Sequence, residues 1–215
     1  FPGHMAAVLF TSGCNFRCGF CHNAELIERR TGMTWQELEA RCRRFRENWV
    51  DAAVITGGEP SIEPRLAELI DFLRACGWAV KLVTNGGRPE VLERVLPRVD
   101  YVAMDVKAPL DGYPRMTGFR GVDKVRQSID LLKDSGVPCT FRTTVIDGVH
   151  SDEDMRRIGE LVRGAGTYVL QPFLPREDLP DPAYRDLPRT SPDRLKELRD
   201  RLAHVAERVE IAGSF

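Results

Sequence analysis

The sequence predicts an α/β fold built as a partial barrel of six strand–helix units, and three observations carry that prediction. Short apolar runs alternate with longer amphipathic segments along the whole chain. Several of the runs are almost continuously apolar, the pattern of strands in a parallel sheet covered by helices. Glycines stand where helices would end, each followed within two residues by the next run, so strand, helix and strand follow one another as right-handed crossover units do.

The strands are expected at 7–10, 53–55, 80–83, 101–104, 140–146 and 168–170, with a short 209–211 adding at an edge. Helices are expected around 34–48, 63–76, 89–96, 121–135, 152–164 and 191–206. Thr34 with Glu37 three residues on, and Ser151 ahead of Asp152, Glu153 and Asp154, read as helix caps, and Ser191-Pro192 opens the last helix. Gly77 and Gly136 mark helix ends. Six units are too few for a closed eight-stranded barrel, so the barrel should be open. The stretch 172–190, rich in Pro, Asp and Arg, reads as a long loop, and loops of that length in compact folds are often functional.

With 215 residues, 42% of them apolar, the chain can bury one sizeable core, and residues 1–215 are expected to form a single domain. The 31 Lys and Arg nearly balance the 32 Asp and Glu, which gives no reason to expect nucleic acid or an anionic membrane as partner. Arg41, Arg43, Arg44 and Arg46 are interleaved with Glu39, Phe45 and Glu47 and read as a solvated helix face. No run approaches the length of a membrane span, and no signal pattern opens the chain, so a cytoplasmic location is the expectation. Free thiols belong to such a compartment, and clustered thiols there point to metal or catalysis.

Three of the six cysteines are clustered. Cys14, Cys18 and Cys21 lie on the loop that follows the first strand, at the end of the sheet where α/β folds place their chemistry. Three thiolates this close can grip one face of an iron-sulfur cube and leave its fourth iron open. A zinc site is the alternative, but no second Cys pair follows at zinc-ribbon spacing, and His22 adjoins Cys21 too closely to complete a tetrahedron easily. Cys42, Cys76 and Cys139 sit in apolar patterns and read as core thiols.

The spacing of Cys14, Cys18 and Cys21, with the aromatic Phe20 before the last, resembles the signature of the radical S-adenosylmethionine superfamily. The resemblance implies a partial (β/α)6 barrel of the radical SAM type, with a 4Fe-4S cluster and S-adenosylmethionine as cofactors. It implies that Phe20 lies against the adenine, and that Gly57, Gly58 and Glu59 after the second strand receive the methionine amino group. Cys21-His22-Asn23, Thr11-Ser12-Gly13-Cys14 and Phe1-Pro2-Gly3 are similar to the glycyl-radical-enzyme activases, especially the group that acts on anaerobic ribonucleoside-triphosphate reductase. By that likeness Asn23 would hydrogen-bond the cosubstrate, and Thr84-Asn85 on the third strand and Asp105 with Lys107 on the fourth match further cosubstrate positions. Asp105 and Lys107 share a face of their strand, so Lys107 would hold the methionine carboxylate and Asp105 would act through a cation or the ribose. A surface ion pair is the other reading of those two. Arg142 and Gln171, at the ends of the fifth and sixth strands, are placed similarly.

The chain departs from the activase of pyruvate formate-lyase in having Val83 and Leu174 where that family carries an acidic residue and a His. The implied partners are a glycyl radical enzyme as protein substrate and a low-potential electron donor such as flavodoxin or ferredoxin. The competing readings are a radical enzyme acting on a small molecule, such as a deazaguanine precursor, and a non-catalytic iron-sulfur or zinc module.

Overall fold

A computed structural model describes residues 1 and 3–213; Pro2 of the Phe1-Pro2-Gly3 match, with Ser214 and Phe215, lies outside the described residues. Seven parallel strands form one sheet in the order of the chain: β1 Ala6–Thr11, β2 Ala52–Gly57, β3 Ala79–Thr84, β4 Tyr101–Asp105, β5 Cys139–Val145, β6 Ala165–Pro172 and β7 Ala206–Ile211. The helices between them are α1 Trp35–Glu47, α2 Leu66–Ala75, α3 Pro89–Val95, α4 Tyr113–Thr117, α5 Val122–Asp134, α6 Asp152–Leu161 and α7 Pro192–Arg201. A sequential, all-parallel order with crossovers of one hand puts the helices on one face and curls the sheet around the other. Strand β1 pairs with β2 and β7 pairs with β6, so the curl stays open, as the partial barrel predicts.

Local signals place most elements. Thr34 and Ser151 each close a reciprocal capping box, with Glu37 and Asp154. Gly77 and Gly136 take the left-handed conformation, φ 79° and 71°, just past α2 and α5. The edge strand expected at 209–211 is present and longer, Ala206–Ile211, parallel to and in register with β6. One feature was not expected: Tyr113–Thr117 is a short helix with Pro in its first turn.

Alternation along β3 separates the two faces of the sheet. Val80, Leu82 and Thr84 are buried under the helices, whereas Ala79, Lys81 and Val83 are partly exposed on the concave side. Cys42 is buried as expected, but Cys76 and Cys139 are only half-buried. Arg41, Arg43, Arg44 and Arg46 are all exposed. No helix among the described residues is long and apolar enough to cross a membrane.

Candidate active site

The cysteine loop leaves the C-terminal end of β1 and is held by its neighbours on every side. Phe16, 1% exposed, packs edge-on against Tyr113 of α4 at 6.1 Å and against Phe119 at 4.6 Å. Burying such a ring is worth about 1.5–3 kcal/mol, which makes it an anchor for the loop. The Arg17 amide donates to Thr117 O at 2.7 Å, and its guanidinium donates to Cys14 O at 2.6 Å.

On the other flank the Gly-Gly-Glu turn locks onto the loop. Gly58 N donates to Thr11 O and Glu59 N to Gly13 O, at 2.9 and 2.8 Å. A Cβ on Gly58 would lie 2.1 Å from Gly13 O, and one on Gly57, whose φ is +118°, would lie 2.3 Å from Thr11 O. Only glycine allows that approach, because backbone cannot move aside as a side chain can.

The loop 172–190 closes over the same place. Asp181 N donates to Gly19 O at 3.1 Å, and Tyr184 packs on Phe20 with ring centres 5.5 Å apart. His22 meets Leu174 O at 2.9 Å through Nε2. The long loop is thus a wall of the cysteine site, joined to it by Gly19, Phe20 and His22.

Cys18 is buried, and burial pushes its thiol up to about 12 while the Lys107 ammonium pulls the other way. Burial also raises the Cys14 thiol, against the Phe16 amide that donates to its Sγ at 3.4 Å. Among the described residues no three His, Cys, Asp or Glu side chains converge as the ligands of a single ion would.

Beyond the cysteines, the predicted residues fall into two linked groups. Glu59, 1% exposed, accepts from Ser61 N at 3.0 Å, Thr84 Oγ1 at 2.7 Å and Asn85 N at 2.6 Å. Burial raises its carboxyl and the three donors oppose the rise. Its oxygens therefore tie the ends of β2 and β3 together, a structural use that the expected role of ammonium acceptor did not include. Asn85 Nδ2 donates to Asn15 Oδ1 at 2.9 Å and lies 3.8 Å from Cys14 Sγ, and Asn23 Nδ2 donates to Gly57 O at 3.2 Å. Both amides brace the cysteine loop.

The second group is charged. Asp105 and Arg142 are register partners on β4 and β5. Arg142 donates to Asp105 Oδ1 through Nε at 2.8 Å and Nη2 at 2.6 Å, and Lys107 Nζ reaches Oδ2 at 3.2 Å. The two cations hold the Asp105 carboxyl below its usual range against the cost of burial. Lys107 Nζ also stands 6.0 Å from the Phe20 ring, which joins this group to the cysteine loop. Gln171 lies opposite Thr144 in the register, near the end of β6, and is partly exposed.

Two supporting residues escaped the sequence reading. Tyr113 OH accepts from Lys107 N at 3.1 Å, and His150 Nε2 meets Lys107 O at 3.0 Å while its Nδ1 accepts from Ile146 N at 3.0 Å. An amide donor on Nδ1 makes that nitrogen the bare one, so Nε2 carries the proton and donates. A separate groove of about 590 Å3, lined by Phe10, Met33, Trp35 and Phe45 among others, opens between β1 and α1 and includes none of the loop cysteines.

The radical SAM superfamily matches residues 8–162, which include the cysteine loop, the Gly-Gly-Glu turn and the Asp105, Lys107 and Arg142 cluster. A Methanocaldococcus jannaschii protein provisionally named a glycyl-radical enzyme activating enzyme is 34% identical over 92% of this chain and 85% of its own length. The 7-carboxy-7-deazaguanine synthase of Thermococcus kodakarensis is 28% identical over 77% of this chain and 73% of its own. The pyruvate formate-lyase-activating enzyme of Clostridium pasteurianum is 27% identical over 83% and 77%. Among solved structures, Streptococcus suis SuiB bound to its precursor peptide SuiA superposes with a TM-score of 0.72 over 97% of this chain at 16% identity, and this chain spans 48% of its length. That likeness is one of fold. A family match across most of the chain, which takes in the loop where the thiols gather, makes this protein a member of the radical SAM superfamily, with a 4Fe-4S cluster and S-adenosylmethionine as its cofactors.

Proposed function

We propose that this chain is a glycyl-radical-enzyme activase, which uses reductive cleavage of S-adenosylmethionine to place a radical on a glycine of a partner enzyme such as an anaerobic ribonucleotide reductase. The observation that carries this reading is the 34% identity to a provisionally named activating enzyme over nearly the whole chain, on a site that contains the Cys21-His22-Asn23 run.

The residues present fit the cofactors. Cys14, Cys18 and Cys21 would hold the cluster, and the donor set is three thiols on one loop, with Asn85 Nδ2 and the Phe16 amide within reach of the Cys14 sulfur. Lys107 and Arg142 are cations suited to the methionine carboxylate, and Phe20 offers a ring face to the adenine. When bound, the cluster and cosubstrate supply a one-electron cleavage that yields methionine and a 5'-deoxyadenosyl radical.

The chain's own work is placement. Asp105 fixes the two cations, Glu59 fixes the turn, and the loop 172–190 shields the cysteines from solvent on one side. A partner's glycine loop would enter over the open end of the partial barrel, and the electron would come from a low-potential donor such as flavodoxin or ferredoxin.

The test is anaerobic reconstitution, reduction and incubation with candidate partners, read by electron paramagnetic resonance. A glycyl radical on a partner, with stoichiometric 5'-deoxyadenosine, supports the activase. Cleavage that depends on a small molecule, with no radical on any protein, would favour the second reading, which the similarity to deazaguanine synthases sustains.

A further inference from the structure

The concave face of the sheet carries a cation that the activity described above does not use. Lys81 alternates with the buried Val80 and Leu82 on β3 and is the register partner of Tyr101 on β4. Its Nζ lies 4.8 Å from the centre of the Tyr101 ring. Tyr101, Ala103 and Asp105 share one face of β4 by alternation, and Tyr101 OH hydrogen-bonds Thr140 Oγ1 of β5. Lys81 therefore stands on the same face as Asp105 and Arg142, further from the cysteine end.

Its surroundings are unusual for this protein. Other shielded cations sit against carboxylates: Lys107 and Arg142 against Asp105, and Arg194 against Asp147, Asp152 and Glu197. Lys81 has no carboxylate partner among the described residues, and the charge that bears on it is the like charge of Arg142. On β3 and β4–β5 of this face Lys81, Lys107 and Arg142 meet the single carboxylate of Asp105, an excess of two positive charges, while Arg208 and Glu210 on β7 balance each other. A cation–π contact is worth only about 0.5–2 kcal/mol and leaves the ammonium without an acceptor.

We propose that Lys81 is an anion anchor for the substrate, receiving a carboxylate carried by the segment that enters the barrel. The assignment rests on the activase reading in taking that segment to be peptide. The acid then orients the glycine toward the cysteine end of the barrel, so that substrates are chosen by charge as well as by shape.

The test measures binding, without turnover, to cluster-loaded protein saturated with S-adenosylmethionine. Fluorescence anisotropy reads two short blocked peptides, each with a central glycine, one flanked by Glu and one by Gln; glutarate serves as a free small acid. The expected result is about tenfold tighter binding of the Glu peptide, a preference abolished in Lys81→Met and kept in Lys81→Arg. Glutarate binding that requires Lys81, with no preference between the peptides, would keep the anion site and assign it to a free small acid. Absence of any anion preference in the wild type, or a preference that survives Lys81→Met, overturns the proposal. Thermal melts of both variants establish that they fold. Failure to raise a glycyl radical on any partner would sink the activase reading and leave this binding result untouched.

Discussion

Removing the Glu59 carboxylate should destabilise the protein even in the absence of S-adenosylmethionine. In Glu59→Ala, the amides of Ser61 and Asn85 lose their acceptor in a region from which water is shut out. The Thr84 hydroxyl loses its acceptor as well, but it still accepts from Gly86 N at 3.1 Å and can rotate. A buried donor left unsatisfied costs about 1–3 kcal/mol, so the two amides together lose about 2–6 kcal/mol. Relief from burying a charge returns part of that, and the expected net loss is about 2–4 kcal/mol. Glu59→Gln keeps one acceptor oxygen but turns an amino group toward the remaining donor, for a loss of about 1–2 kcal/mol. Urea unfolding of cluster-loaded protein without cosubstrate measures both. If Glu59→Ala fell within about 0.5 kcal/mol of wild type under those conditions, the tie between β2 and β3 would carry no stability and the residue would act on the cosubstrate alone.

Three further outcomes follow from the same geometry. Asp105→Asn leaves Arg142 and Lys107 facing each other; the side chains are about a quarter exposed, so the loss should be about 2–3 kcal/mol, below the full cost of breaking a buried pair, as measured by denaturant titration. The depressed Asp105 carboxyl makes that contribution present above the unfolded value of about 3.9 and lost as pH falls through the folded one, so the variant should lack this part of the acid limb. His150, lowered mainly by burial, charges more readily when unfolded; wild-type stability should therefore decline as pH drops below about 6.5, and melting curves of His150→Gln should show a flatter decline. Gly58→Ala puts a methyl group against Gly13 O and Leu26 O, both backbone, and should cost more than about 3 kcal/mol or abolish iron uptake on reconstitution; near-normal iron content with a wild-type melt would refute the close approach.

The parts of this protein legible in its sequence are those whose signals are local. The capping boxes at Thr34 and Ser151 declare themselves within four residues, and the alternation of apolar runs with amphipathic segments is enough to order six strands correctly. The cysteine loop is legible for the same reason, since all three thiols lie within eight residues. Helix α4 was hidden because Pro114 reads as a breaker, although proline at the first turn of a helix costs nothing. The polar shell was legible only in composition. Glu59, Asn23 and Asn85 were recognised as site residues, yet their partners lie 25, 34 and 70 residues away, at Thr84, Gly57 and Asn15, and no spacing rule reaches that far. Lys81 shows what a different question would have found. A lysine in the middle of the otherwise apolar Ala79–Thr84 strand can point only to the concave face if its neighbours are to stay buried, and a charge placed there by alternation alone has to meet something. Residues that break the pattern of a strand are thus as informative about a barrel's interior as motifs are about its rim.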